Sequence, residues 1–497
     1  MNYTELLHEM CNVNKHLFIH SPAGYGKTNI ISKMQQIIKY GIIYAAPTGL
    51  AAYHINGITI HSLFNLKPCI QNPFDKNITI SDSHKLSLLR NANTLVIDEI
   101  SMIRCDLLDK INEILKIIRN NNEPFGGLRM ILFGDLFQLT PIVIQNELNY
   151  LKELYKYNRD YYFFESNAFN EIDFLTNLEC YELTHNYRQE NDVPFQILLN
   201  NIRTANLSKI DLLLLNTRLF AQPVKDTMYL ATNNKTVDCI NAFSISNLPD
   251  EPTLSIPIIE SIESIDSDLL KQYPYILPII IKKDMKIRFT MNDSINNNRR
   301  FVNGTIGFIK EKIFKNNFLE YVIAEINGNE YDIRRETRML YEPYYNAVLK
   351  QTEIREFASI TQFPFISSYA NTIHKSQGMT LDNAIVDMSG GSFCHGQTYV
   401  ALSRVKTLNN LFLIKPITLN DIKVSKSIVL FYRTILPSIN LVVADNEDNN
   451  SKISSSTILM SIYSSMYKKY KYASFPDRST VICFPKFINK SNKKHYQ

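Results

Sequence analysis

The sequence lacks the features that mark a secreted, disulfide-stabilised or membrane-spanning protein. Its seven cysteines are odd in number, scattered and never spaced as C-x-x-C. This pattern disfavours a disulfide framework or a zinc site and favours a reducing, intracellular compartment, without distinguishing a nucleus from a viral replication site. No uncharged apolar run is long enough to span a bilayer, so we expect no membrane segment. No internal repeat of solenoid period is present either.

An excess of charge of one sign is also missing. The chain has 53 Lys and Arg residues and 48 Asp and Glu residues, a formal net charge of +5. Such a mild excess permits nucleic-acid binding without arguing for it. With 497 residues, the chain has room for about three domains of roughly 150 residues each. It is therefore long enough to form sizeable hydrophobic cores.

One short stretch stands between an apolar strand and an amphipathic helix: Ser21-Pro22-Ala23-Gly24-Tyr25-Gly26-Lys27-Thr28. A strand, a small-residue turn and a helix that opens with Gly-Lys-Thr form a phosphate cradle, in which backbone N–H groups face the anion. Lys27 would reach the outer phosphates, and the Thr28 hydroxyl would ligate Mg²⁺. The alternative interpretation is a chance Gly-Lys-Thr turn.

Polar residues follow the apolar strands of the first part of the chain. Pro47-Thr48-Gly49 follows one strand, Asp98-Glu99 a second and Gly134-Asp135 a third. Near-continuous apolar strands that alternate with helices are typical of a parallel sheet covered on both faces. Because ligands bind at the carboxyl ends of such strands, we expect these polar groups to share one site.

Changes of composition along the chain predict the domain bounds. Between 281 and 360, short apolar runs and Asn-Gly turns predict hairpins and a small β-barrel. The predicted bounds are a first α/β domain at 1–180 with a small excursion at about 67–90, a second at 181–280 and 361–440, the β insertion at 281–360, and a polar, basic tail at 441–497.

Several residues are candidates for phosphoryl-transfer chemistry. We assign Asp98 as a metal ligand and Glu99 as the base that polarises the attacking water, although an acid pair after a strand is also an ordinary strand end. Gln138 could orient that water, or be a polar loop residue. Arg188 and Arg404, from the second α/β block, could neutralise charge on the transferred phosphoryl group, whereas single arginines are usually solvated or salt-bridged.

Other candidates point towards nucleic acid and have equally ordinary explanations. His374 has no partner at metal-ligand spacing and could be structural. The basic residues Lys282, Lys283, Lys286, Arg288, Arg299 and Arg300 could follow a phosphate backbone or form a solvated face. The Tyr/Lys-rich tail mixes aromatic and basic residues as single-strand binders do, but a disordered tail has the same composition.

Taken together, these motifs resemble the PIF-type DNA helicases, close to the RecD-like branch of superfamily 1. The resemblance covers roughly 18–414. Its segments, in order, are Pro22 to Thr28, Ala46 to Ala52 with Thr59 to Ser62, Val96 to Met102, Phe133 to Leu139, Asn186 to Gln189, Phe301 to Gly307, Ile373 to Asp382 and Gly396 to Val405.

The resemblance implies two RecA-like domains with ATP and Mg²⁺ between them, and an SH3-like barrel inserted in the second. It also implies 5′ to 3′ translocation on single-stranded DNA and unwinding in replication, recombination or repair. Implied partners are single-stranded and forked DNA, with replication or repair proteins as further candidates. By position, the residues for ATP are Ala23, Gly24, Tyr25, Gly26, Lys27, Thr28, Asp98, Glu99, Gln138, Arg188, Gln377, Gly378 and Arg404. Those for DNA are Pro47, Thr48, Gly49, His61, Ser62, Asn233, His374 and Lys375.

The sequence departs from the family pattern at two places. Ser21 replaces the first glycine of the phosphate loop, and no glutamine before the first strand matches the one that reads adenine in the family. We therefore expect weak selectivity for the base. Two other activities stay open: a nucleic-acid-stimulated ATPase that remodels protein–DNA or RNA complexes without separating strands, and an inactive DNA-binding scaffold. The intact set Lys27, Asp98, Glu99 and Arg404 argues against the scaffold.

Overall fold

The structure is a computed structural model that describes residues 3–435, except 13–14, 39, 68, 77–79, 81, 144, 156–159, 224–226, 262–276, 294–299 and 347–350. The predicted tail at 441–497 and Arg299 lie outside the described residues. No helix within the described ranges is both long and apolar enough to cross a membrane.

The first part of the chain builds a parallel sheet of six strands in the order β3-β2-β4-β5-β1-β6. Its elements are α1 (Tyr3–Asn12), β1 (His16–His20), α2 (Lys27–Ile37), β2 (Ile42–Ala46), α3 (Gly49–His54), β3 (Ile58–Thr59), α4 (Ile60–Leu63), α5 (Ser83–Asn91), β4 (Thr94–Ile97), α6 (Cys105–Arg119), β5 (Arg129–Gly134), α7 (Gln145–Leu154), α8 (Ile172–Thr176) and β6 (Leu178–Glu182).

Both faces of this sheet are buried, as the apolar strands predict. Successive side chains of a strand point to opposite faces. Leu95 and Ile97 of β4 accordingly join one hydrophobic cluster, while Val96 joins the other. Strand β6 pairs with β1 and crosses the predicted domain boundary at residue 180. The first domain therefore extends a few residues further than predicted, because Glu179 and Glu182 interrupt the apolar pattern of β6.

The second α/β block begins with α9 (Val193–Arg203), α10 (Lys209–Asn216), β7 (Met228–Ala231) and α11 (Asn234–Ser246). Asp192 caps α9 by accepting a hydrogen bond from the Phe195 N–H at 3.1 Å, and Pro194 occupies the first turn, where its missing N–H costs nothing. The apolar face of α9 packs into the core of this second domain.

An antiparallel region interrupts the second domain. It contains β8 (Thr253–Ser255), β9 (Ile258–Ser261), β10 (Ile279–Ile281), β11 (Lys286–Phe289), β12 (Ile306–Lys315), β13 (Phe318–Ile326), β14 (Asn329–Ile333), β15 (Glu336–Asn346), β16 (Gln351–Gln362) and β17 (Phe365–Ser367). They pair as β10-β8, as β14-β13-β12-β11-β17 and as β15-β16-β9. The predicted hairpins are therefore present, whereas closure into an SH3-like barrel stays a prediction.

These strands extend beyond the predicted bounds of the insertion, 281–360, on both sides. Strand β9 pairs with β16, and β17 pairs with β11. The early strands lie in a Pro- and Ser-rich stretch and have only three or four residues each, so they carry too little local pattern to be recognised. The partner of β9 is also distant in sequence, since Ser359 of β16 lies opposite Glu260.

The chain then completes a parallel sheet of four strands in the order β18-β7-β19-β20. The remaining elements are β18 (Ala370–Thr372), β19 (Ala384–Asp387), α12 (Gln397–Leu402), β20 (Leu411–Leu413) and α13 (Lys426–Ile435). The two parallel sheets confirm the predicted α/β class with two RecA-like domains.

Helix α13 lies within the range predicted for the second domain, yet it packs into the core of the first. The Phe431 ring stacks on Phe164 at 4.2 Å between centroids, and Tyr432 stacks on Phe137 at 5.2 Å. The assignment of 361–440 to the second domain is therefore corrected for this helix. Its amphipathic pattern predicts a helix but cannot say which core the apolar face joins.

Candidate active site

The phosphate loop connects β1 to α2 and takes its shape from two glycines. Gly24 and Gly26 have φ angles of 85° and 82°, in the left-handed region where a side chain is strained. A Cβ on Gly26 would also lie 2.7 Å from the Tyr187 ring. Ser21 is not among the residues with positive φ, and its N–H donates to the Gly134 carbonyl at 3.3 Å. Serine in place of the first glycine therefore leaves the loop geometry intact.

Lys27 begins α2, and its ammonium is held inside the loop. Its Nζ donates to the Ser21 and Pro22 carbonyls at 2.9 and 3.1 Å. Burial lowers the pKa of Lys27, while the carboxylates of Asp135, Glu99 and Asp98 act in the opposite direction. The acceptors of Lys27 are neutral loop carbonyls, which an arriving phosphate can replace.

Asp98 and Glu99 follow β4, facing the loop. The Asp98 Oδ1 atom accepts a hydrogen bond from the Glu99 N–H at 2.9 Å. Burial and the adjacent Glu99 carboxylate raise the pKa of Asp98. Glu99 has a φ of 53°, and its Oε2 accepts from Gln377 Nε2 at 3.3 Å. The left-handed backbone thus turns the second carboxylate towards the other domain.

Arg188 and Arg404 come from the opposite side of the cavity. Arg188 Nη1 donates to the Ser403 carbonyl at 2.9 Å, and Arg404 Nη1 to the Met379 carbonyl at 3.2 Å. Burial, followed by the positive charge of Arg188, lowers the pKa of Arg404 to about 9. Among the described residues neither arginine forms an ion pair, so their charge is not neutralised by a carboxylate.

A buried network adjoins the cavity and joins two predicted residues, Asp135 and Gln138, to Arg203, which was not predicted. Arg203, at the end of α9, donates from Nε to Asp135 Oδ1 at 3.0 Å, and Asp135 Oδ2 accepts from Gln138 Nε2 at 3.3 Å. Arg203 also lies 4.5 Å from the centroid of the Phe137 ring. The Gln138 Oε1 atom is enclosed without a hydrogen-bond donor. A residue of the second domain therefore holds the loop that carries Gln138.

Two further contacts join the domains beside the phosphate loop. The Ala23 N–H donates to the Tyr399 hydroxyl at 2.8 Å. Gly396 has a φ of 72°, and a Cβ there would lie 2.3 Å from the Gln138 carbonyl oxygen. In the sequence, Asp135 could be found because it follows a strand, and Tyr399 and Gly396 because they lie within a motif segment. No local sequence pattern marks Arg203.

The phosphate loop, the acid pair Asp98-Glu99, Gln138 and the two arginines line a cavity of about 640 Å³. Of the residues predicted for ATP, all except Gln377 line it, and Gln377 reaches it through Glu99. The remaining lining residues were not predicted: Asn29, Ala51, His54, Tyr187, Glu190, Asn191, Thr380, Lys406, Thr407 and Asn410.

None of the residues predicted for DNA lines this cavity. Thr48 and Asn233 cap helices by accepting hydrogen bonds from Ala51 N at 3.2 Å and Thr236 N at 2.9 Å. His374 Nε2 lies 3.5 Å from Cys394 Sγ. A Cβ added at Gly49 would lie only 2.8 Å from Asn292 Oδ1 of the insertion. Pro47, His61, Ser62 and Lys375 complete the predicted set, and these residues are spread over both parallel-sheet domains.

Two RecA-like sheets that face one cavity, with a phosphate loop and acid pair on one side and two arginines on the other, define a P-loop nucleoside triphosphatase of the two-domain motor class. The family model described as PIF1-like helicase matches residues 3–210. Over that range the chain is similar to the PIF1-like helicases.

Two curated relatives and one solved structure illustrate the similarity. The ATP-dependent DNA helicase Pif1 of Psychrobacter sp. (strain PRwf-1) is 29% identical over 465 residues, which cover 82% of this chain and 66% of that protein. The Campylobacter jejuni helicase of the same name is 28% identical over 449 residues, covering 84% and 94%. The crystal structure of Pif1 helicase from Bacteroides in complex with ADP-AlF3 and ssDNA has a TM-score of 0.75 and 28% identity, covering 89% of this chain and 99% of that chain.

Proposed function

We propose that this chain is an ATP-dependent DNA helicase that moves 5′ to 3′ on single-stranded DNA and unwinds duplex DNA in replication, recombination or repair. The observation that carries the proposal is the single cavity in which Lys27, Asp98 and Glu99 of one domain face Arg188 and Arg404 of the other. The names of the Psychrobacter and Campylobacter relatives support the same activity.

The side chains of the cavity divide the work of hydrolysis. When the nucleotide binds, the Lys27 ammonium leaves the loop carbonyls and donates to the outer phosphates, whose negative charge it stabilises. Glu99 takes a proton from the attacking water, since it is the acid not assigned to the metal. The enclosed Gln138 Oε1 lacks a donor, which the same water supplies. Arg188 and Arg404 neutralise the charge that develops on the phosphoryl group.

A magnesium ion fits the donor set next to the phosphate loop. Thr28 offers a hydroxyl and Asp98 a buried carboxylate. Burial and the Glu99 carboxylate raise the pKa of Asp98, so a bound cation would offset the cost of keeping Asp98 ionised there. No group of three or more His, Cys, Asp or Glu residues that could hold a metal exists within the described ranges. This agrees with Mg²⁺, which takes one or two protein ligands and completes its shell with phosphate and water. When bound, the ion neutralises phosphate charge.

The DNA strand crosses both domains outside the nucleotide cavity, which none of its contact residues lines. Its contacts are Pro47, Thr48, Gly49, His61 and Ser62 in the first domain and Asn233, His374 and Lys375 in the second. The positions of these residues in the fold support this assignment. Pro47-Thr48-Gly49 directly follows β2, and Asn233 is the second residue after β7. Both therefore lie at carboxyl ends of parallel strands, where ligands bind. Because the strand contacts both domains, its contacts move relative to one another whenever the domains close or open around the cavity.

A strand-separation assay tests the proposal. A forked duplex with a 5′ single-stranded tail should be unwound with ATP and Mg²⁺, whereas a duplex with only a 3′ tail should stay paired. Lys27→Ala is the matched control, since it removes the charge that serves the phosphates and leaves the apolar face of α2 in place. We expect it to be folded and to hydrolyse no ATP.

The outcomes separate the proposed activity from the remodelling ATPase. DNA-stimulated hydrolysis without unwinding of either fork would favour remodelling of protein–DNA or RNA complexes. Normal turnover by a folded Lys27→Ala protein would overturn the assignment of the phosphate loop.

A further inference from the structure

Arg288, in β11 of the insertion, is a buried cation without a partner. Its side chain is 5% exposed, and its Nε atom is enclosed without a hydrogen-bond acceptor. Among the described residues it forms no ion pair and no hydrogen bond through its side chain. A buried charge is costly unless it is paired. Burial lowers the pKa of Arg288 to about 10, so the guanidinium is still charged at neutral pH.

The position of Arg288 in the sheet directs it away from the core of the insertion. Its neighbours Ile287 and Phe289 are fully buried in that core. Because successive side chains alternate between faces, Arg288 lies on the opposite face. It pairs with Ile366 of β17, and the chain continues from there into β18 of the second RecA-like domain.

The face that carries Arg288 adjoins the turn with Lys375. The Lys286 N–H donates to the Tyr369 hydroxyl at 3.1 Å, just before β18. Lys375, three residues after β18, keeps part of its side chain in solvent, while protein atoms surround its ammonium. Burial and then the charge of Arg288 lower the pKa of Lys375, while Asp238 of α11 acts in the opposite direction. Arg288 and Lys375 thus flank the same junction, since β11 pairs with β17, which leads into β18, and Lys375 lies in the turn after β18.

We infer that Arg288 and Lys375 form a phosphate-binding subsite for the DNA strand at the junction of the insertion and the second RecA-like domain. The inference rests on the proposed function and adds a contact from the insertion that the family resemblance does not assign. A backbone phosphate supplies the anion that the guanidinium lacks, and the guanidinium binds it through two N–H groups at once. The insertion therefore grips the strand together with the motor domain.

Salt-dependent binding of a fluorescent oligo-dT tests this subsite. Arg288→Met keeps the length of the side chain and removes the charge, and Arg288→Lys keeps the charge. Lys315→Met is the matched control, because Lys315 is exposed in the same insertion, lies outside the basic cluster of 282–300, and gives an equal change in net charge. Removing one phosphate contact should lower the slope of log K against log[salt] by about 0.7. If the parent and Arg288→Met bind equally at 1 M salt, the Kd of the variant should be about fivefold higher than that of the parent at 0.1 M salt. Lys315→Met and Arg288→Lys should keep the parental slope.

Thermal unfolding without DNA separates binding from a structural role. Because Arg288→Met replaces an unpaired buried charge with an apolar side chain, its Tm should equal or exceed that of the parent. A lower Tm would overturn the inference, since the guanidinium would then hold the fold. A parental slope for Arg288→Met would overturn it as well.

Inorganic phosphate distinguishes a strand from a free anion. At constant ionic strength, added phosphate should leave the Kd of the parent for oligo-dT unchanged. If it raised this Kd to the value of Arg288→Met, the site would belong to a free phosphate ion and the inference would be wrong. A parent protein that neither binds oligo-dT nor hydrolyses ATP faster with it would instead refute the proposed function.

Discussion

At the residue scale, the positions of the phosphate loop differ in whether their backbone conformation requires glycine. Gly24 and Gly26 adopt left-handed φ angles and could be predicted from the motif. Ser21 adopts no such angle, so the missing glycine has no structural consequence. The acid pair Asp98-Glu99 was also predictable, because it directly follows a buried strand. Arg203 was not predictable, since its partner Asp135 lies 68 residues earlier in sequence.

Replacing the proposed base separates nucleotide binding from hydrolysis. Glu99→Gln keeps the shape of the side chain and loses its basicity, so the variant should bind Mg·ATP and turn it over very slowly. Equilibrium binding of a fluorescent ATP analogue and single-turnover hydrolysis measure the two properties. If affinity collapsed along with the rate, Glu99 would be a metal ligand or a structural residue.

Selectivity for the base should be weak. None of the described residues that line the cavity comes from α1 or from the turn before β1, which is where the family resemblance places a glutamine that reads adenine. Other nucleoside triphosphates should therefore support turnover within about tenfold of ATP, the effect of one lost neutral hydrogen bond. Side-by-side kcat/KM values check this expectation. A strict preference for ATP would mean that another element reads the base.

At the element scale, strands and helices with a strong local pattern were predicted, whereas their partners often were not. The strands β2, β4 and β5 are continuous apolar runs and lie side by side in one sheet. The prediction that the polar residues after them share one site was wrong for Pro47-Thr48-Gly49, because Asp98 and Glu99 line the cavity and these three residues do not. The short strand β9 and the destination of α13 depend on contacts with distant parts of the chain. Local periodicity reports which residues are buried, but it carries no information about the surface that buries them.

The packing of α13 against the first domain predicts that two C-terminal truncations differ in stability. Deleting the residues after Asp445 should spare ATPase activity, because every motif precedes them. A deletion that also removes α13 would expose Phe18, Phe163 and Phe164, which pack against Phe431. Loss of a buried aromatic side chain costs about 3–5 kcal/mol, so this shorter protein should unfold at a clearly lower temperature. Calorimetry and ATPase assays of both proteins provide the comparison. Equal stability would contradict the packing of α13, and an inactive but folded longer protein would show that the tail docks on the motor.

At the scale of the whole molecule, the two RecA-like domains are connected by contacts that meet the nucleotide cavity. The Ala23–Tyr399 hydrogen bond and the buried Arg203–Asp135 pair both cross between the domains. The Arg404 side chain lies on the second domain and is 1% exposed. An arginine in this place stabilises the transition state only when the domains close, and a DNA strand that lies across both should favour closure. Hydrolysis should accordingly be slow without DNA, and stimulation should weaken with salt, because a strand held through its phosphates releases counterions.

Steady-state ATPase with and without oligo-dT, alongside direct DNA binding, tests this coupling most directly. The proteins are the parent, Arg404→Ala and the control Lys415→Ala, which removes an exposed charge of the same domain. The account predicts strong stimulation of the parent and the control by oligo-dT. For Arg404→Ala it predicts a DNA-stimulated rate about 10³-fold or more below the parent, the scale of a lost arginine finger, with DNA affinity little changed. A folded Arg404→Ala protein whose DNA-stimulated rate stays within a few-fold of the parent would contradict the account.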